Sequence, residues 1–410
     1  MGFDQLKKYL FKGDKTIWIV FFILCSISWV EVFSATSRQI NDFNGNYWLP
    51  IIKHTVFLGI GLFVVFIMHY MKVAWIKKLT YVIYWLGLAG LIWAQFDKGS
   101  HINDSARWIK IFGMTFQPME LAKMGLVMIT ALISAQHQDE EGTDRFALQK
   151  IALYGTLPIL IILKENLSTA FIILLTLYAM MFVCRYPKGQ MLKILGVAFA
   201  TVVIGITAIM SAPESWANEG GFKQKVITWK HRIVDALKSE PVTAETYVIK
   251  NEQRTYANIA IASSNIFGCG PGNSKQRDFI PHAQSDFIYA IIIEELGLAG
   301  GIFVLLLYMT ILFRCGKIAK KCEDPYPAFL IMGVGMIITL QALLHMYISV
   351  GDFVTGQPLP LISQGGTSVI INCVYIGIIL SISRYAKKAS ANPKKSLEDI
   401  DNEMIIENNQ

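Results

Sequence analysis

Apolar residues in this chain collect into runs of about 20, the length a helix needs to cross a hydrocarbon layer of ~30 Å, and polar residues gather between the runs. About ten runs of that length are centred near Phe22, Leu62, Leu86, Val127, Leu157, Leu174, Ala200, Leu305, Met336 and Ile378. The pattern predicts an all-α integral membrane protein in which residues 1–386 form one polytopic domain. A long polar interruption, about residues 212–284, separates the seventh and eighth runs. Within it, FKQKVITWKHRIVDALK has the pattern of a basic amphipathic helix, suited either to the outer leaflet or to solvent. Residues 387–410 are too charged and too few to bury a core, so they read as a disordered tail.

Charge changes this picture by giving it a direction. Only 16% of residues are charged, against roughly 25% in soluble domains, and loops rich in Lys and Arg stay on the cytoplasmic side. Lys7, Lys8, Lys12 and Lys15 precede the first run, and no small-residue cleavage site follows it, so it reads as a retained span. With the N-terminus inside, the inside segments hold Lys72, Lys77 and Lys78; Arg185, Lys188 and Lys193; Arg314, Lys317, Lys320 and Lys321; and Arg384, Lys387 and Lys388. Both termini are then cytoplasmic, and the 212–284 interruption is external. The net charge of +7 sits largely on these flanks, reporting topology and anionic lipid rather than nucleic acid. The six cysteines are scattered without C-x-x-C or metal-ligand spacing.

Candidate chemistry lies at the outer ends of the spans, where ionisable groups are costly near hydrocarbon and tend to face a bundle interior or a wet cavity. Residues 105–123, SARWIKIFGMTFQPMELAK, place Pro118 in a first helical turn and Glu120 and Lys123 at i and i+3 on one face. Arg107 and Lys110 lie just before them. An interfacial anchor with an internal ion pair and a polar substrate site fit equally well. In KENLSTA, residues 164–170, Glu165 and Asn166 suit capping of the sixth helix. Residues 351–368, GDFVTGQPLPLISQGGTS, are nearly uncharged and dense in Gly, Pro, Ser and Thr, the composition of a re-entrant or tightly covered loop.

The external loop closes with NIFGCGPGNSKQRDFIPHAQSDFIYAIIIEELGLAGG, residues 265–301. Its glycines let backbone approach a ligand, but they match no phosphate-binding fingerprint. Asp286 stands where polar loop turns into FIYAIII. Partial desolvation there raises a carboxyl pKa and suits a general base. A helix N-cap or first-turn aspartate explains the same position. Glu294 and Glu295 lie about two turns deeper, where they are expected to be hydrogen-bonded.

The order and wording of these segments resemble the SEDS family of polytopic cell-wall proteins, whose members include FtsW and RodA. The matching stretches are SARWI, FQPMELAK, ENLST, GCGPGNSKQ, QSDFIYA and GQPLPLISQGGTS, spread over essentially the whole chain. FQPMELAK and ENLST are closer to the division member than to the elongation member. The resemblance implies a SEDS-type helical bundle and an inverting glycosyltransferase that joins lipid II units on the outer face of the bacterial cytoplasmic membrane, at the division septum. Asp286 matches the family's essential aspartate and is the implied base. Arg107 and Lys123, with Lys110 and Arg277 behind them, are implied to neutralise pyrophosphate, and Glu120 to hold Lys123. Gln117, Gln276, Ser363 and Ser368 fall in the matched motifs as further implied substrate contacts.

Implied partners are lipid II, a class B penicillin-binding protein that crosslinks the product, and other divisome proteins. The charge of the leaving group also motivates a divalent cation, magnesium or manganese, although the sequence offers no ligand set for one. The chain departs from the family pattern at Gln284 (histidine), Asn166 (aspartate), Met119 (serine) and Gln364 (tyrosine). Asp286 must therefore act without an imidazole at 284 or a carboxylate at 166. A lipid II flippase and a non-catalytic scaffold for the crosslinking partner remain open. A secondary transporter fits less well, because its polar groups belong near mid-membrane.

Overall fold

A computed structural model describes residues 11–36, 48–96, 109–111, 114–140, 142–218, 221–237, 252–280, 283–350 and 357–389. Each expected run forms a helix: α1 Lys15–Ala35, α2 Trp48–Tyr70, α3 Val73–Phe96, α4 Pro118–Gln136, α5 Arg145–Glu165, α6 Leu167–Val183, α7 Lys188–Met210, α10 Ile288–Ala319, α11 Pro325–Val350 and α12 Gly366–Ala389. Between α7 and α10 lie two further helices, α8 Gly221–Leu237 and α9 Glu252–Ser263. Among the described residues nine helices are long and apolar enough to span a membrane, and α6, at 17 residues, is a shorter apolar one. Two short hairpins were not foreseen: β1 Ile109–Ile111 with β2 Met114–Phe116, and β3 Gln138–Asp139 with β4 Gly142–Thr143.

Local chemistry sets the helix starts. Asp14 accepts hydrogen bonds from Thr16 N at 2.9 Å and Ile17 N at 3.2 Å, capping α1. Pro118 opens α4, where its missing N–H costs nothing. Asn166 accepts from Ser168 N at 3.1 Å and Thr169 N at 3.2 Å, so the capping role read for this residue is the one it fills.

The bundle is built around α4, whose side chains from Pro118 to Ser134 are almost all buried. Helices α3 and α4 approach closely because a Cβ on Gly87 would lie 2.8 Å from Ala122 Cα, and one on Gly125 2.8 Å from Tyr84 Cα. Helix α11 packs on α4 and α10, and α12 packs on α2. At the other extreme, Met191 is the single buried side chain of α7. Helix α12 runs to Ala389, three residues beyond the boundary expected at 386, and the remaining tail lies outside the described residues.

Helix α10 is broken at Gly297, where φ is +74°. The glycine-rich loop lies against the break: Leu298 N donates to Asn265 O and Ala299 N to Ile266 O, both at 3.1 Å. On the other side Cys269 N reaches Glu294 O at 3.0 Å and Gly270 N reaches Glu295 O at 2.8 Å. The loop thereby covers backbone groups that the interrupted helix cannot satisfy internally. Farther out, α8 buries Val226 and Ile227 against Ala212. Lys230 ties it to Glu214, at 2.9 Å, in the short 3-10 turn Glu214–Asn218.

Candidate active site

Asp286 lies in the turn leading into α10 and is half-buried, accepting a hydrogen bond from Ser285 Oγ at 3.0 Å. The N-cap of α10 is Phe287, with no side-chain cap bond, so Asp286 does not serve as the cap. The N-cap explanation for an aspartate at this position therefore does not apply, while its place one residue before the cap keeps the carboxylate near the positive end of the helix dipole.

The backbone before Asp286 is held by residues 357–364, the described part of the Gly/Pro-rich connector. Gln364 N donates to Gln284 O at 3.0 Å, and Ser363 Oγ donates to Ser285 O at 2.7 Å. Ser363 Oγ also accepts from Leu359 N at 2.7 Å. As the composition suggested, protein covers polar backbone of the connector's described part, residues 357–364. Ser28 Oγ donates to Ile362 O at 2.7 Å, Tyr308 to Pro360 O, and Gln341 Nε2 to Pro358 O at 3.0 Å. His345 Nδ1 lies 2.6 Å from Gln357 O. A carbonyl only accepts, so Nδ1 carries the proton. Leu361 is a non-glycine residue at φ +65°, a conformation that persists only where surroundings over-determine it.

Glu120 and Lys123 form the i, i+3 ion pair expected from their spacing, at 2.8 Å, with side chains 2% and 0% exposed. Lys123 Nζ also donates to Gln341 Oε1 at 2.7 Å. One run of contacts thus joins Glu120, Lys123, Gln341 and Pro358 O. The buried ammonium is thus tied to the connector through Gln341, whose amide donates to Pro358 O. Gln117 is buried at the start of α4, and its N–H donates to Thr367 Oγ1 at 3.3 Å. Ser368, also buried, accepts from Asn372 Nδ2 at 3.4 Å.

Gln276 and Arg277 belong to a second cluster. Glu294 accepts from Ser274 Oγ, Lys275 N at 3.0 Å and Gln276 N at 3.4 Å. Glu295 accepts from Ser34 Oγ, Gly272 N at 3.0 Å and Ser274 N at 3.2 Å. Arg277 Nη1 donates to Ser34 Oγ at 2.8 Å and lies 3.8 Å from Glu295 Oε1. The guanidinium therefore anchors the loop to α1 and α10. Arg107 lies outside the described residues, and Lys110 occupies the middle of β1 opposite Thr115.

Sequence reasoning missed Ser28, His54, Gln341, His345 and the fully buried Glu31. Each is a polar residue in an otherwise apolar span, which is itself a signal for a group facing the bundle interior. Among the described residues no group of three or more His, Cys, Asp or Glu is placed to hold a metal. The divalent cation motivated by the leaving group's charge has no ligand set among these residues.

Residues 14–388 match the FtsW/RodA/SpoVE family model, described as cell cycle proteins. A probable peptidoglycan glycosyltransferase FtsW of Halomonas elongata is 27% identical over 375 residues, covering 89% of each chain. One from Bacillus subtilis is 28% identical over 403 residues, covering 95% of each. Among solved structures, a chain of a peptidoglycan synthase complex that coordinates polymerization and crosslinking superposes with a TM-score of 0.68 at 22% identity, covering 91% of this chain and 98% of that one.

Proposed function

We propose, from the premise that this chain belongs to the FtsW/RodA/SpoVE family of cell cycle proteins, that it is a peptidoglycan glycosyltransferase polymerising lipid II, with Asp286 as its general base. It is an integral membrane protein of the bacterial inner membrane. The observation that carries the site assignment is the Asp286 turn: a half-buried carboxylate that leaves the helix N-cap to Phe287, on backbone fixed by Ser363 and Gln364.

In the reaction the 4-hydroxyl oxygen of an acceptor sugar bonds to the anomeric carbon of the donor. The bond from that carbon to the polyprenyl pyrophosphate breaks, and the leaving group departs with the electron pair. Asp286 takes the hydroxyl proton. Displacement with one carboxylate and no covalent intermediate inverts the anomeric centre, by the logic of inverting glycosidases. Arg107 and Lys110, in the polar segment before α4, neutralise pyrophosphate. Lys123 holds the connector through Gln341, and Glu120 holds Lys123. Gln117, Ser363 and Ser368 line up the connector beside Asp286, while Gln276 and Arg277 keep the glycine-rich loop on α10.

The same reading places both termini in the cytoplasm, Asp286 on the outer face, and the protein at the septum with a class B penicillin-binding protein and other divisome partners. The test is polymerisation of labelled lipid II by the full-length protein, with and without its crosslinking partner, beside Asp286→Ala and Asp286→Asn. Both substitutions should lower the rate by roughly 10²–10⁴-fold, the usual contribution of a positioned acid or base. Lipid II binding without polymer in any mixture would instead support the flippase or scaffold.

A further inference from the structure

Two buried side chains have no place in the chemistry above, yet they converge on the connector that holds Asp286. Ser28 in α1 is fully buried and donates its hydroxyl proton to Ile362 O at 2.7 Å. His54 in α2 is 3% exposed, and its Nε2 lies 2.8 Å from the same Ser28 Oγ. A hydroxyl has one proton. With that proton directed at Ile362 O, Ser28 Oγ can only accept from His54, so Nε2 must carry a hydrogen. The contact is polarised in one direction: His54 Nε2–H to Ser28 Oγ, and Ser28 O–H to Ile362 O.

Ile362 lies between Leu361, held at φ +65°, and Ser363, whose hydroxyl grips Ser285 O next to Asp286. The carbonyl that Ser28 binds is therefore one residue from the strained position and one from the residue that fixes the Asp286 turn. We propose that His54 and Ser28 are positioning residues for Asp286, propping the connector at Ile362. This rests on the assignment of the glycosyl-transfer chemistry to Asp286, which the experiment tests separately.

A glutamine at 54 has a side chain long enough to place its amide N–H near the position of Nε2, whereas an asparagine is too short to reach Ser28. Lipid II polymerisation and backbone hydrogen exchange over residues 359–364 are measured on full-length His54→Gln, His54→Asn and Ser28→Ala, with Asp286→Ala in the same assays. His54→Asn and Ser28→Ala should lower kcat about tenfold, the scale of one lost buried hydrogen bond. They should leave KM for lipid II within about twofold and speed exchange over 359–364. His54→Gln should stay close to the parent in both readouts.

Equal behaviour of His54→Gln and His54→Asn, or unchanged exchange in His54→Asn, overturns the prop and leaves Asp286→Ala to judge the base on its own. Faster exchange with unaltered polymerisation overturns the link to catalysis. If Asp286→Ala is then fully active as well, the assignment of chemistry to this turn fails with it.

Discussion

Lys123 shows what one residue can report when its partners are known. A buried ammonium is tolerable because Glu120 neutralises it and Gln341 accepts from it. Removing one member of a buried pair strands the other charge, which costs roughly 3–5 kcal/mol. Lys123→Met should therefore lower the apparent thermal transition in detergent more than the Glu120→Gln, Lys123→Met double substitution does. Equal losses would show that packing, and not the stranded carboxylate, sets the cost. The ion pair was legible in the sequence because i, i+3 spacing is a local rule. Gln341 was not, since it is 218 residues away and a single amide in an apolar span matches no motif. The same distinction separates Asn166, whose capping role can be read from its neighbours, from Ser28 and His54, whose meaning depends on a connector more than 300 residues farther along.

At the scale of elements, the break in α10 makes the strongest demand on sequence. A Cβ on Gly297 would sit 2.2 Å from Ile266 O, and the residue is at φ +74°. Gly272 has a similar φ of +83°, but a Cβ added there would meet nothing within 4 Å. Gly272→Ala should cost about 1–2 kcal/mol for the left-handed backbone alone. Gly297→Ala should cost more and loosen the loop, read as a larger fall in thermal stability and faster proteolysis near residues 265–277. The spans were legible because a 20-residue apolar run has few alternatives in a membrane. The break was not, because E-L-G-L-A-G within an apolar run equally describes a continuous helix.

The docking of α8 has its own pH signature. Hydrogen bonds from Lys230 and then His231 hold the exposed Glu214 carboxyl below its ordinary range. A folded value below the unfolded one means the contact is fully present above the unfolded carboxyl value, about 4.3, and is lost as pH falls through the lower folded value. Trp216, with Lys223 Nζ 5.5 Å from its ring centroid, adjoins this contact. Its fluorescence should change with a midpoint below about 4.3, and Glu214→Gln should abolish the change.

For the whole molecule, sidedness can be checked with a cysteine the chain already carries. Cys269 is exposed in the glycine-rich loop, Cys25 and Cys322 are half-buried, and Cys184, Cys315 and Cys373 are buried. Burial, with the Glu294 and Glu295 carboxylates, pushes the Cys269 thiol above its usual value, so labelling should be slow at neutral pH and faster as the solution is made alkaline. A membrane-impermeant maleimide should modify intact cells at Cys269, and Cys269→Ala should remove the label. Modification only after permeabilisation would reverse the orientation drawn from the basic loops.

The near-total exposure of α7 carries a consequence of a different kind. Its 23 residues extend about 34 Å at roughly 1.5 Å each, slightly more than an average hydrocarbon core, and Met191 is its single buried side chain. With so little contact to the rest of the chain along its length, packing does little to fix its tilt, which leaves hydrophobic mismatch as a stronger influence. Where acyl chains form the wall on that side, two preparations of the same chain in short-chain and long-chain bilayers would differ in shape there while sharing every interior contact.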